Sequence, residues 1–149
     1  MKTFTSIVFL LIAVSSFSQT KAECIAFIRK KESSHNGQNF VSVNLDGTIL
    51  KIVNKLLRDN QLETVETEID FSKAKKIIIE FDDRFNFYRP TVLLIGKDYN
   101  RKEIPIQGLW YQFYKDRFEY YYYENQNEAI EMKTVFIQLA KLCGAKLEH

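Results

Sequence analysis

Histidine, cysteine, proline and glycine are all scarce in this chain of 149 residues, which has two histidines, two cysteines, two prolines and five glycines. A zinc site draws three or four ligands from cysteine, histidine and carboxylates, and no HExxH or CxxC pattern occurs. A serine or cysteine nucleophile needs a base, and His35, in the polar stretch Lys31–Gln38, is the only imidazole besides the terminal His149. Nor do the few glycines form a phosphate-cradling loop. The sequence therefore points to no catalytic residue, no metal ligand and no cofactor. Carboxylate pairs such as Asp82-Asp83 leave acid–base chemistry open, but nothing in the pattern asks for an enzyme.

An excess of one charge is also missing. The net charge is +2, with basic residues dispersed among acids, so there is no electrostatic footprint for nucleic acid. Long apolar runs are missing too. The main one, Phe4 to Val14, is about eleven residues, well short of the roughly 20 that span a bilayer, so no stable membrane span is expected. It follows Met1-Lys2 and precedes the small, polar Ser15–Gln19, which is the order of a secretory signal peptide. Residues 1–18 are therefore expected to be removed, with cleavage after Ser18 or after Ala22, and the mature protein to be periplasmic or secreted. Lys21 and Glu23, just before Cys24, do not suit a lipoprotein cleavage site. Leu147-Glu148-His149 resembles the start of a vector-encoded tag. The remainder, 24–146, is enough for one core and one domain.

Cys24 and Cys143 would pair in an oxidising compartment. Such a bridge closes nearly the whole chain, and chain entropy assigns a loop of that order about 4.7 kcal/mol. The alternative is that Cys143 is a small apolar residue on a buried helix face.

Along the chain, Cys24–Lys30 is apolar and β-leaning, and Phe40–Leu45 alternates. Ile49, Ile52, Val53, Leu56 and Leu57 fall at helical spacing, with Lys51, Asn54, Lys55 and Arg58 opposite, so a helix is expected over 47–59 in preference to a strand returning from Asp46-Gly47. Leu62–Asp70 alternates again, and its row of Glu66, Glu68 and Asp70 fits a charged outer face better than a calcium site. Lys75–Phe81 and Pro90–Ile95 are central strands, and Pro105 confines its segment to an edge or turn. A second helix over 127–143 carries Met132, Val135, Phe136, Leu139, Leu142 and Cys143 on one stripe, with Gly144 as its cap. The expected class is α+β: an antiparallel, twisted sheet of about six to seven strands with the two helices packed on one face.

What the chain has in abundance is tyrosine and phenylalanine. Trp110–Tyr123, WYQFYKDRFEYYYY, places nine aromatic side chains in fourteen residues. Folded as a hairpin turning at Asp116-Arg117, it puts Tyr111, Phe113, Phe118, Tyr120 and Tyr122 on a core face. The other face then holds Trp110, Gln112, Tyr114, Glu119, Tyr121 and Tyr123, a mixture of aromatic area and polar atoms that suits recognition. Asp83-Arg84-Phe85 echoes Asp116-Arg117-Phe118, and two such tips on one sheet edge would form a single site.

The run Gly108-Leu-Trp-Tyr-Gln-Phe, followed by Asp116-Arg-Phe-Glu-Tyr, resembles the Gly-x-Trp strand signature of lipocalin-like barrels. That resemblance implies a small apolar ligand held between sheet and helix, although two helices do not suit a plain barrel. The first expectation is thus an exported, non-enzymatic protein that binds another protein, as inhibitors and immunity proteins do, or self-associates through the aromatic face. The alternatives are a binder of a small apolar ligand in a cavity lined by Tyr111, Phe113 and Tyr120, and a hydrolase using His35 or clustered acids.

Overall fold

The computed structural model describes residues 19–58, 61–96, 100–106 and 109–149, and for 58, 61, 100–106 and 109–114 it describes the backbone. Residues 1–18, expected to be a removable leader, lie outside the described residues. The chain runs α1 (Lys21–Asn36), β1 (Phe40–Asp46), β2 (Ile49–Arg58), β3 (Gln61–Asp70), β4 (Ala74–Asp82), β5 (Phe87–Leu94), β6 (Asn100–Ile106), β7 (Leu109–Tyr114), β8 (Arg117–Glu119) and α2 (Gln126–Leu142). The class is α+β with antiparallel sheets and two helices, but the strands form two sheets in place of the single one expected: β1-β2-β3-β6-β7 and β4-β5-β8. Among the described residues β1 and β7 are the edges of the larger sheet, and no pairing between them closes a barrel.

The first helix stands where a strand was expected. Thr20 and Glu23 form a capping box: the Glu23 backbone N–H donates to Thr20 Oγ1 at 3.2 Å, and the Thr20 N–H to Glu23 Oε2 at 2.6 Å. This satisfies two of the amide donors that a helix start leaves open. Cys24, Ile28 and Glu32 then recur every fourth residue as a buried stripe. Gly37, at φ 51°, ends the helix.

The segment expected as the other helix, 47–59, is a strand. Gly47 and Thr48 make a two-residue loop, with Asp46 opposite Ile49, and Gly47 at φ 61° takes the backbone conformation such loops need from glycine. β2 then pairs with β1 on one side and β3 on the other. Its inward row is Leu50, Ile52 and Asn54, opposite Ile69, Thr67 and Val65 of β3. On the outer face Lys51 Nζ sits 2.8 Å from Glu66 and 3.6 Å from Glu68, so the acidic row on β3 is bridged by a lysine. β6 is interior to its sheet, contrary to expectation. Pro105 is nonetheless tolerated, because β3 pairs with β6 only as far as Glu103.

The second helix falls where its stripe placed it, with Met132, Val135, Phe136 and Leu139 buried. α1 packs on β1, α2 on β4 and β5, and the helices on each other, around a shared core. At its centre the Phe136 ring lies 5.6 Å from Phe71, 5.9 Å from Phe118 and 5.2 Å from Tyr120. Leu147, set aside above as vector-like, packs against this core, and the Glu148 N–H donates to the Lys75 carbonyl at 2.8 Å.

The hairpin expected at Asp116-Arg117 does not form. β7 pairs with β6, Phe113 opposite Lys102, while β8 crosses to the smaller sheet and pairs with β5. The aromatic stretch is thereby divided between two sheets.

Candidate functional site

The division of the aromatic stretch creates a pocket. Along β5, Val92 faces Phe118 and Thr91 faces Glu119, but further on it is Tyr88 that faces Tyr123, which inserts one extra residue on the tyrosine side. The insertion falls beside Pro90, whose carbonyl accepts the Tyr120 N–H at 3.0 Å but which has no N–H to return. The consequence is a change of face. Phe118 and Tyr120 point inward, as alternation requires, and then Tyr121 and Tyr123 do so as well, leaving Tyr122 at 47% exposure.

Tyr120 and Tyr121 close one side of a pocket of about 310 Å³. α1 supplies Glu32 and Asn36; β2 and β3 supply Ile52, Asn54, Val65 and Thr67. Lys55, Leu56 and Glu119, all exposed, form the rim. The floor is polar and the wall largely apolar, as in sites that orient a small ligand with a few fixed polar groups.

Glu32 is the centre of the floor. It is 1% exposed, and its Oε2 accepts hydrogen bonds from Asn36 Nδ2, Asn54 Nδ2 and Tyr121 Oη, each at 3.0 Å. Asn36 Nδ2 also lies 2.6 Å from Tyr121 Oη, which ties the end of α1 to the tyrosine segment. Burial pushes the Tyr121 hydroxyl well above its ordinary range, with the Asn36 bond opposing and the Glu32 charge adding to the rise. Burial raises Tyr120 further, with the Glu32 charge the next cause. Both tyrosines are thus held as neutral O–H groups beside the carboxylate. Asn54 Oδ1 is buried with no hydrogen-bond partner among the described residues. Behind the floor, the His35 ring stacks on Tyr121 at 4.6 Å and meets Tyr123 edge-on at 5.3 Å.

Of the aromatic face inferred from the sequence, the structure describes Glu119, Tyr121 and Tyr123. Tyr123 is 2% exposed and Tyr121 turns into the pocket, while Glu119 is exposed at the rim. The side chains of Trp110, Gln112 and Tyr114, and those of Tyr111 and Phe113, lie outside the described residues. Tyr120, expected to line a cavity, does line this one.

The two Asp-Arg tips do not meet. Asp83 and Arg84 belong to the β4–β5 turn, whereas the Asp116 carbonyl accepts from Leu94 at the far end of β5, which is more than about 20 Å along an eight-residue strand. Arg84 pairs with Asp82 at 3.0 Å. A hollow of about 260 Å³ beside this turn is lined by Glu80, Asp82, Asp83, Arg84 and Arg89, and its two arginines are engaged with carboxylates: besides the Arg84 pair, Arg89 lies 3.2 Å from Glu80 and 3.4 Å from Glu119. Arg117 joins the same network, contacting Glu80 and lying 3.0 Å from Glu119.

Cys24 and Cys143 are free, buried thiols, not the bridge expected from the sequence. Burial raises both pKa values, and at Cys24 the charges of Glu23 and Cys143 add to the rise.

The residues that sequence reasoning missed are Glu32, Asn36 and Asn54. The available signal was the spacing Cys24, Ile28, Glu32, Asn36, one helix face ending in polar groups behind a Thr-x-x-Glu cap. The chain matches no protein-family model, no curated protein and no solved structure.

Proposed function

We propose that this is an exported, non-enzymatic binding protein that holds a small organic ligand in the pocket between α1, β2, β3 and the Tyr120–Tyr121 segment. One observation carries the reading: a buried carboxylate at the floor of a pocket of about 310 Å³ whose walls are Ile52, Val65 and Phe118. That volume is at the lower end of the roughly 300–1,000 Å³ range of small-molecule sites. Binding is favoured over hydrolysis because the His35 ring is taken up by Tyr121 and Tyr123, and the polar groups around Glu32 hold one another in place. A small ligand is favoured over a protein partner because Tyr121 and Tyr123 face inward. Export rests on the leader-like residues 1–18.

Native mass spectrometry of the protein purified from its secreting host tests the reading. A bound species of a few hundred daltons that is lost in an Ile52→Trp variant, which fills the pocket, is the expected result. A mass equal to that of the bare chain, with no thermal shift across a small-molecule panel, would contradict it.

A further inference from the structure

We propose that the ligand carries a primary ammonium group and that Glu32 is its counter-ion, an inference that rests on the pocket being a small-ligand site. Glu32 is 1% exposed, and among the described residues no lysine or arginine lies within ion-pair distance of it. Lys31, its neighbour in sequence, turns away to Glu128 and Glu131 at 3.9 and 3.8 Å. Three neutral donors soften the burial of the charge, but a buried carboxylate without a cation remains costly, and a cation in the pocket relieves that cost.

The kind of polar groups lining the pocket fits an ammonium. An –NH3+ group has three donors and no acceptor, so it needs three acceptors converging on one point. Glu32, Asn54 and Tyr120 all line the pocket; Asn54 Oδ1 is a buried acceptor with no hydrogen-bond partner among the described residues, and the Tyr120 hydroxyl lies beside the Glu32 carboxylate. Neutral alcohols could take one or two of these groups, but not the charge. An anion would meet Glu32 directly. The faces of Tyr120 and Tyr121 add a surface that attracts cations, and Ile52, Val65 and Phe118 receive the carbon skeleton. At the rim, Lys55 and Glu119 have opposite charges and leave the sign of the preference to the floor.

Isothermal titration of the purified protein with 2-phenylethylammonium, 2-phenylethanol and 3-phenylpropionate tests this. The ammonium should bind at least about tenfold tighter than the alcohol, as expected for a charge-assisted pair in a desolvated site, and the carboxylate should not bind. Glu32→Gln keeps an acceptor for Asn36, Asn54 and Tyr121, and should abolish the preference for the ammonium over the alcohol. Tyr120→Phe, which keeps the ring packed on Phe136, should weaken the ammonium several-fold and serves if E32Q folds poorly. If the alcohol or the carboxylate binds as tightly as the ammonium, the counter-ion role is wrong while the small-ligand reading stands. If none of the three binds, the counter-ion role falls, while the small-ligand reading is decided separately by native mass spectrometry.

Discussion

Tyr121 Oη donates a 3.0 Å hydrogen bond to Glu32 Oε2, joining residues 89 positions apart in sequence. The contact holds the last turn of α1 against the tyrosine segment, and it depends on the inserted residue beside Pro90 that turns Tyr121 inward. Asn36 and Asn54 reach the same oxygen, one from the helix and one from β2.

Removing this donor should be felt in stability. Tyr121→Phe preserves the ring stacked on His35 but leaves Glu32 with two donors instead of three. A loss of about 1–3 kcal/mol is expected, read as a lower urea midpoint at unchanged slope. An unchanged midpoint would show that the hydroxyl contributes nothing to holding the carboxylate.

The capping box predicts both a stability effect and a mature end. Thr20→Ala should cost roughly 0.5–2 kcal/mol. Cleavage after Ala22 would remove Thr20 altogether, whereas cleavage after Ser18 leaves the box whole. Intact-mass measurement of the exported protein should therefore give Gln19 as the first residue. A chain beginning at Glu23 would contradict this.

Acid sensitivity should trace in part to the outer face of the smaller sheet. Burial alone would raise the Glu80 carboxyl, but hydrogen bonds from Arg117 and Thr91, together with the charges of Arg117 and Arg89, outweigh it and hold the pKa below its ordinary value of 4.5. A depressed carboxyl contributes stability that is fully present above its unfolded value and is lost as pH falls through the folded one. The stability difference between wild type and Glu80→Gln should be constant near neutrality and shrink below about pH 4.5. A difference that grows as pH falls would have the wrong sign.

The cysteines should be unreactive in the native state. Cys24 is 0% and Cys143 7% exposed, and burial raises both thiols, so the reactive thiolate is scarce and shielded. A thiol reagent at pH 8 should modify neither quickly, and should find both on denaturation. Fast modification of the folded protein, or fewer than two thiols after unfolding, would contradict free buried cysteines.

How far the fold was legible depended on what each element buries. α2 has a purely apolar inward stripe and was readable to within a residue at each end. β1, β3, β4 and β5 followed from alternation or continuous apolar runs. The two elements given the wrong secondary structure, α1 and β2, are the two that carry the pocket's polar floor. In α1 the stripe of Cys24 and Ile28 continues into Glu32, so its amphipathicity is hidden. In β2 the inward row runs Leu50, Ile52, Asn54, while Val53 is buried on the other face; a polar residue within and an apolar one outside produce a false helical period. Local rules fail where a fold accommodates a site. The aromatic stretch was recognised as unusual, but pairing between sheets, which decided its role, leaves no local trace in the sequence.

The most direct measurement is a nitrogen-15 NMR titration of the protein with 2-phenylethylammonium and, separately, 2-phenylethanol. Saturable shifts from either compound, concentrated at Glu32, Asn36, Val65, Thr67, Tyr120, Tyr121 and the side-chain amides of Asn36 and Asn54, are the predicted result. Shifts absent from these positions for both compounds, or confined to the Asp82–Arg84 turn, would contradict a ligand site at Glu32.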